Sequence, residues 1–229
     1  MLTEKNLMLF LITDTSGRNG SIALARASDE VVVLESVPLA GGTFSAQLVP
    51  QIAGLLNNHG FNKHDIDAFV VVAGPGSFTG LRVGLAAIKA LAEILGKPIV
   101  AVSLLEAVAF ASRAQGNVLA ALDAGRGEVY AGQYEVAGES ACMLREQVLS
   151  KDDFVSAAHG AVVATPDEKL AGIAREAGIS VLQIEPLSAE TIARFGWRKL
   201  QSGETVGPET LEANYVRRTD AEIFAKPGS

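Results

Sequence analysis

Seven residues, "DAFVVVA" at 67–73, constrain this chain more than any other stretch. They show no polar–apolar alternation, so the strand they form is buried on both faces, as in a parallel sheet covered by helices. A glycine-rich turn, "GPGSFTG" (74–80), follows at once, and the apolar spacing behind it predicts a helix from about 80 to 95. Strand, tight turn and helix in succession make the repeating unit of an α/β protein.

The rest of the chain repeats that unit. Residues 6–12 and 20–26 read as a hairpin around "TDTSGRN", and 31–37 continues the sheet. A helix is expected over 44–60, with Pro50 either opening it near its first turn or kinking it, and Gly60 as its stop. Then come strand 98–103, helix 104–114, and strands 117–123 and 128–135 around the turn "AGRG". Strand 142–148, a helix from Ser150, strand 161–164, helix 167–177, strand 180–185 and helix 188–202 complete the alternation. The last stretch is turn-rich, and its end is expected to be partly disordered. Two segments echo one another: "LITDTSGRNGSIALA" (11–25) and "LAALDAGRGEVYAGQYE" (119–135). In each, a strand ends in aspartate, a short Gly-Arg turn follows and a second strand returns. Asp14 aligns with Asp123, and Arg18 roughly with Arg126. The spacing suggests two similar halves, although hairpins with Asp and Gly in the turn are also commonplace.

Composition narrows the function. The 229 residues allow one large domain or two small ones, and 48% apolar with 20% charged residues is ordinary for a soluble globular protein. Net charge is −7, and neither half is basic: residues 1–100 carry 7 basic and 8 acidic side chains, residues 101–229 carry 12 and 18. Nucleic-acid binding by the chain alone would need clustered cations, and the one basic pair near an aromatic is in "NYVRR" (214–218). Charges interrupt every long apolar run, so no membrane span is expected. The N-terminus lacks the features of a secretory signal, and the single cysteine, Cys142, excludes an internal disulfide framework. A cytosolic, cytoplasmic protein is the natural expectation.

The glycine turn offers N–H groups and a positive helix end to an anion, with Ser77 or Thr79 as helix cap. It lacks the Gly-Lys-Ser/Thr of a Walker A loop and the acidic partner of a dinucleotide fingerprint. A phosphate cradle and a plain strand–helix junction therefore stay equal alternatives. Asp14, Thr15 and Ser16 after the first strand, Gly74 and Gly76 in the turn, and Asp123 are the candidate nucleotide-binding residues. Asp14 and Asp123 facing each other across a cleft would hold a hydrated Mg²⁺ with a nucleotide; more plainly, each caps its own hairpin turn. His59, His64 and His159 form no i, i+4 pair, Cys142 has no histidine nearby, and Ser16 lies outside a nucleophile elbow. No metal ligand and no catalytic residue are assigned.

The helix behind the turn carries three charges, Arg82, Lys89 and Glu93. At about 100° per residue they share one narrow stripe. Such a helix is buried on two sides: against its own sheet and against a partner or, alternatively, inside one large core. Gly80, Gly84, Ala87 and Ala90 would let another helix come close. The helix over 48–56 is almost as apolar. The expected partner interface is Leu48, Ile52, Leu55, Leu81, Gly84, Leu85, Ile88 and Leu91, a patch too large to leave wet.

"LITDTS", "GPGSFTGLRVGL", "SLLEAVA", "LDAGRGEVY" and "ANYVRR" occur in that order. Together they resemble the TsaB (YeaZ) family across essentially the whole chain, and "GPGSFTGLR" is specific to that family and its catalytic sibling TsaD. The resemblance implies an α/β fold of the actin/hexokinase/Hsp70-like (ASKHA) type in two duplicated halves, 1–103 and 104–229, with the C-terminal segment packing back on the first. It implies a non-catalytic scaffold for making N6-threonylcarbamoyladenosine at position 37 of tRNAs that read ANN codons. Such a chain dimerises with itself or binds TsaD, the ATPase TsaE joins the pair, and tRNA is reached only through the complex. No cofactor follows firmly; ATP or ADP with Mg²⁺ at a complex interface is left open. The sibling enzyme binds metal through an HxxxH pair on the helix that here begins "TFSAQLVPQ", and TsaB-like chains often keep one histidine there, where this chain has Phe44. A stand-alone ATP-binding enzyme using Asp14 and Asp123 is the alternative, and a glycoprotease-like peptidase a more distant one.

Overall fold

The computed structural model describes residues 7–138 and 140–216. Expectations about residues 1–6, the Arg217–Arg218 pair and the order of the C-terminal end lie outside the described residues. The chain divides into two units: residues 7–103 with 188–214, and 104–187 with 215–216.

In the first unit, β1 (Met8–Asp14), β2 (Gly20–Ala27) and β3 (Val31–Leu39) form an antiparallel meander. Helix α1 (Phe44–Asn58) then crosses over to β4 (Ala68–Gly74), which lies parallel to β1, and α2 (Phe78–Leu95) crosses to β5 (Ile99–Ser103), parallel to β4. The sheet order is β3-β2-β1-β4-β5. Every residue of β4 is buried, as the missing alternation requires. One face of the sheet, through Leu9, Leu11, Ile22, Phe69 and Val71, packs on α1 and α2. The other face meets α6 (Ala189–Gln201). There Phe10 stacks on Trp197 with ring centroids 6.2 Å apart, and Gly196 sits so close to Val70 that a Cβ would collide with it. Pro50 lies inside α1, on its exposed side. Gly60, at φ 72°, follows the helix end. A 3₁₀ turn at Lys63–Asp65, which the apolar pattern gave no sign of, is held by a capping box between Asn62 and Asp65.

The second unit repeats this plan. Strands β6 (Gly116–Gly125), β7 (Glu128–Ala137) and β8 (Ser140–Ser150) form an antiparallel meander, α4 (Lys151–Ala157) leads to β9 (Val162–Thr165), and α5 (Glu168–Glu176) leads to β10 (Val181–Gln183). The order β8-β7-β6-β9-β10, with β6, β9 and β10 parallel, matches the first sheet strand for strand. Leu119, Phe154, Val163 and Leu170 fill the core on the α4/α5 side. On the other face α3 (Leu104–Ser112) packs over Val118 and Tyr134; the fully buried Tyr134 hydroxyl donates to Glu146. The helix that follows the first sheet in sequence thus belongs to the second unit, and the helix that follows the second sheet belongs to the first.

Candidate functional site

The glycine turn between β4 and α2 is filled by the chain's own backbone. A Cβ on Gly74 would meet the Asn214 carbonyl, on Gly76 the Ser16 carbonyl, and on Gly80 the Thr15 carbonyl. On Gly84, one turn into α2, it would overlap the Thr15 side chain. Two hydrogen bonds fix this approach: Ser77 N–H donates to the Ser16 carbonyl at 2.7 Å, and Asn214 N–H to the Ala73 carbonyl at 2.7 Å. The Ser77 hydroxyl caps α2 by accepting from Gly80 N–H at 3.3 Å. These glycines seat α2 on the segment after β1. Gly80 and Gly84 admit that segment, where the sequence pattern pointed to a partner helix.

Asp14 ends β1. Its Oδ1 accepts from Ser16 N–H at 2.9 Å and from the Ser16 hydroxyl at 2.6 Å. Burial pushes the Asp14 carboxyl above the usual carboxylate range, while the Ser16 hydroxyl and amide pull it back. Thr13 and Thr15 on either side are fully buried, and their hydroxyls find no hydrogen-bond partner among the described residues. In the second unit Asp123 lies just past the buried part of β6 and makes the same contact: its Oδ1 accepts from Gly125 N–H at 2.9 Å, two residues on. Its own N–H donates to Asp167 Oδ2 at 3.0 Å. Both aspartates therefore close an Asx turn at the end of the first strand of their unit, and each has a structural reason to be there.

The expected partner interface needs correction. Leu48, Ile52, Leu55, Leu81, Gly84, Leu85 and Ile88 are all buried in the core of the first unit, and Leu91 is half-buried against it. The strongest apolar periodicity in α1 and α2 marks the side facing their own sheet. The side left open carries different residues. On α1 it is Ala46, Val49, Pro50, Ala53 and Gly54, in a 15-residue helix without a single charge. On α2 it is Phe78, Arg82, Ala86, Ala90, Glu93 and Ile94. Val49, Phe78 and Ile94 are 56%, 49% and 72% exposed; they are the large apolar side chains most exposed on any described helix. The Arg82 guanidinium lies 3.7 Å over the Phe78 ring. The signal that would have found these positions was the charged stripe itself: apolar residues that share the angular sector of Arg82 and Glu93 cannot also face the sheet.

Among the described residues no three His, Cys, Asp or Glu side chains come together. His59 pairs with Glu35 at 2.8 Å, His64 and His159 are exposed, and Cys142 is an exposed free thiol. Phe44, where the resemblance looks for a remnant histidine, is buried against Gly20. No described helix is long and apolar enough to cross a membrane.

Two sheets of one topology, each closed by the same aspartate turn, define a duplicated α/β protein of the ASKHA type. Residues 38–181 match the family model for TsaD, tRNA N6-adenosine threonylcarbamoyltransferase. The Bacillus subtilis tRNA threonylcarbamoyladenosine biosynthesis protein TsaB is 38% identical over 129 residues, 56% of this chain and 56% of that protein. The Escherichia coli protein of the same name is 27% identical over 93% of this chain and 96% of its own. The chain thus aligns with about half the length of the B. subtilis relative and nearly all of the E. coli one. YeaZ from Pseudomonas aeruginosa superposes with a TM-score of 0.69 at 25% identity, covering 91% of this chain and 100% of that one. The chain belongs to the TsaB (YeaZ) branch of the threonylcarbamoyltransferase family.

Proposed function

We propose that this chain is the docking subunit of an assembly that threonylcarbamoylates adenosine 37 in tRNAs reading ANN codons, and that it supplies no catalytic residue. Family membership supports the reading, since the relatives named above are tRNA threonylcarbamoyladenosine biosynthesis proteins. One observation in this chain carries it: the large apolar side chains most exposed on its helices, Val49, Phe78 and Ile94, all lie on α1 and α2. Burying such side chains is worth about 1.5–3 kcal/mol each, and exposed apolar surface of this kind marks a protein contact. The partner is a TsaD-type catalytic subunit, or a second copy of this chain in its absence. A TsaE-type ATPase joins the pair in the cytoplasm. ATP or ADP with Mg²⁺ belongs to the interfaces of that complex. Direct tRNA contact by the second unit is disfavoured, because residues 104–187 carry six basic and twelve acidic side chains.

The test uses a bacterial strain lacking its own TsaB. The wild-type chain is expected to restore threonylcarbamoyladenosine in bulk tRNA, read by nucleoside mass spectrometry. The double variant Phe78→Glu, Ile94→Glu should fail and should no longer co-elute with the TsaD-type subunit, whereas Asp14→Asn should still restore the nucleoside. The opposite pattern, an active docking variant and a dead Asp14→Asn, would instead favour the stand-alone enzyme.

A further inference from the structure

Two non-glycine residues among those described hold a positive φ: Arg113 at 53° and Arg126 at 55°. A side chain with a Cβ is strained there, and glycine or asparagine is the usual occupant. Arg113 has a reason for its place. It follows the last residue of α3, its N–H donates to the Phe110 carbonyl at 3.3 Å, and its charge suits the negative end of a helix. Arg126 has no such reason. It stands at the tip of the β6–β7 hairpin, between Gly125 and Glu128, the last paired residues. With Gly127 at 84° it supplies the two positive φ angles of a type I′ turn, which asparagine, aspartate or glycine provides at less cost.

The Arg126 side chain is exposed, and among the described residues it makes no hydrogen bond, ion pair or ring contact. Carboxylates are at hand: Asp123 and Glu128 flank it in the hairpin, and Asp167 Oδ2 accepts from the Asp123 N–H at 3.0 Å. Arg126 pairs with none of them. The backbone beneath it is fixed. Gly125 N–H donates to Asp123, Glu128 lies opposite Ser150 on β8, and the Ser150 hydroxyl donates to Asp153. A cation carried on such a tip gives up little conformational freedom when it binds. An arginine set where a smaller residue makes a better turn, and left without a partner, breaks a local rule for no gain inside the fold. Such outliers point to function.

We propose that Arg126 is a contact residue, whose guanidinium takes a carboxylate of a protein partner with an otherwise basic surface. The planar fork of arginine matches a carboxylate through two parallel hydrogen bonds. The surroundings select the class of partner. Asp123, Glu128 and Asp167 repel an RNA backbone, which carries negative charge at every phosphate. They attract a protein surface that sets cations around one carboxylate. This contact belongs to the second unit and does not rest on the docking reading of α1 and α2.

Surface plasmon resonance on the immobilised full chain tests it. The analytes are a TsaD-type subunit, a TsaE-type ATPase and their mixture, and then the mixture with tRNA. Arg126→Asn relieves the strained turn and should raise the melting temperature by about 1–3 °C. The same variant should release at least one protein analyte about tenfold faster or more. Its association should be unchanged or faster, because a cation has left an acidic surface. Arg126→Lys keeps the charge without the fork and should still release about threefold faster than wild type. An unchanged or lower melting temperature in Arg126→Asn would mean that the arginine serves the fold, and would overturn the proposal. Wild-type release of every protein analyte would overturn it as well, and wild-type release in Arg126→Lys alone would contradict the two-bond geometry. A loss confined to the samples with tRNA, as slower association with a shallower salt dependence, would assign Arg126 to RNA phosphate and also overturn it. The double variant Phe78→Glu, Ile94→Glu keeps the two readings apart: if it loses binding while Arg126→Asn binds as wild type, α1 and α2 dock and Arg126 does not.

Discussion

The two units share a sheet and differ in their crossover helices. Strand order, parallel and antiparallel pairing, and the aspartate turn at the end of the first strand are the same in both. The crossover helices are not. In the first unit they have 15 and 18 residues, with three charges between them. In the second they have 7 and 9 residues, and both carry acidic side chains in the first turn. Six of the chain's seven excess negative charges fall in residues 104–187. A duplicated frame has thus diverged by surface: one half keeps long, nearly neutral helices with exposed apolar residues, and the other carries the charge that holds a protein in solution. On the proposed reading, docking falls to the helices of the first unit and the sheets serve as scaffold.

The sharpest way to break this comparison is to put charge on either side of one helix. Ile88→Asp buries an unpaired carboxylate in the first unit's core and should cost more than about 4 kcal/mol, unfolding that unit in a thermal melt followed at Trp197. Ile94→Asp, two turns on but exposed, should leave the melt within about 0.5 kcal/mol of wild type and remove partner binding instead. Equal melting losses would mean that the two sides of α2 are not distinct.

Helix glycines extend the comparison between units at smaller amplitude. Gly84→Ala drives a methyl into Thr15 and should cost about 1–3 kcal/mol; Gly80→Ala, against the Thr15 carbonyl itself, should cost the upper end of that range or more. Gly172→Ala, at the corresponding helix of the second unit, has open space around its Cβ and ordinary helical backbone. It should stabilise by about 0.5–1 kcal/mol, read as a rise in the denaturant midpoint. A destabilised Gly172→Ala would show that α5 is as tightly seated as α2.

The smallest effect is a pH dependence. Because burial raises the Asp14 pKa in the folded state, the folded chain holds that proton more tightly than the unfolded one. Its contribution therefore falls as pH climbs from the unfolded pKa of about 3.9 through the raised folded value. Asp14→Asn keeps an oxygen for Ser16 and removes the buried charge. It should be more stable than wild type at neutral pH and lose that advantage as pH drops below the unfolded pKa.

Much of this architecture was legible in the residues. The unalternating "FVVVA" pointed to a parallel strand, and the Asp14/Asp123 echo suggested the duplication against the alternative of two commonplace hairpins, because strand period and turn chemistry are local. The side of a helix that meets a partner was not legible in the same way. Leu81, Leu85 and Ile88 make the strongest pattern in α2, and their own sheet uses it up; the residues proposed for docking are those left over. The glycine turn was ambiguous for a related reason. Whether Gly76 and Gly80 admit a phosphate or a carbonyl depends on Thr15 and Ser16, about sixty residues away in sequence.

The most direct test is a calorimetric titration of this chain into a TsaD-type subunit, comparing wild type with Ala90→Trp on α2 and with a matched exposed change on the second unit, Glu176→Trp on α5. The account predicts that Ala90→Trp weakens binding at least about a hundredfold while Glu176→Trp leaves it within about twofold. Undiminished affinity in Ala90→Trp, or a greater loss in Glu176→Trp, would contradict it.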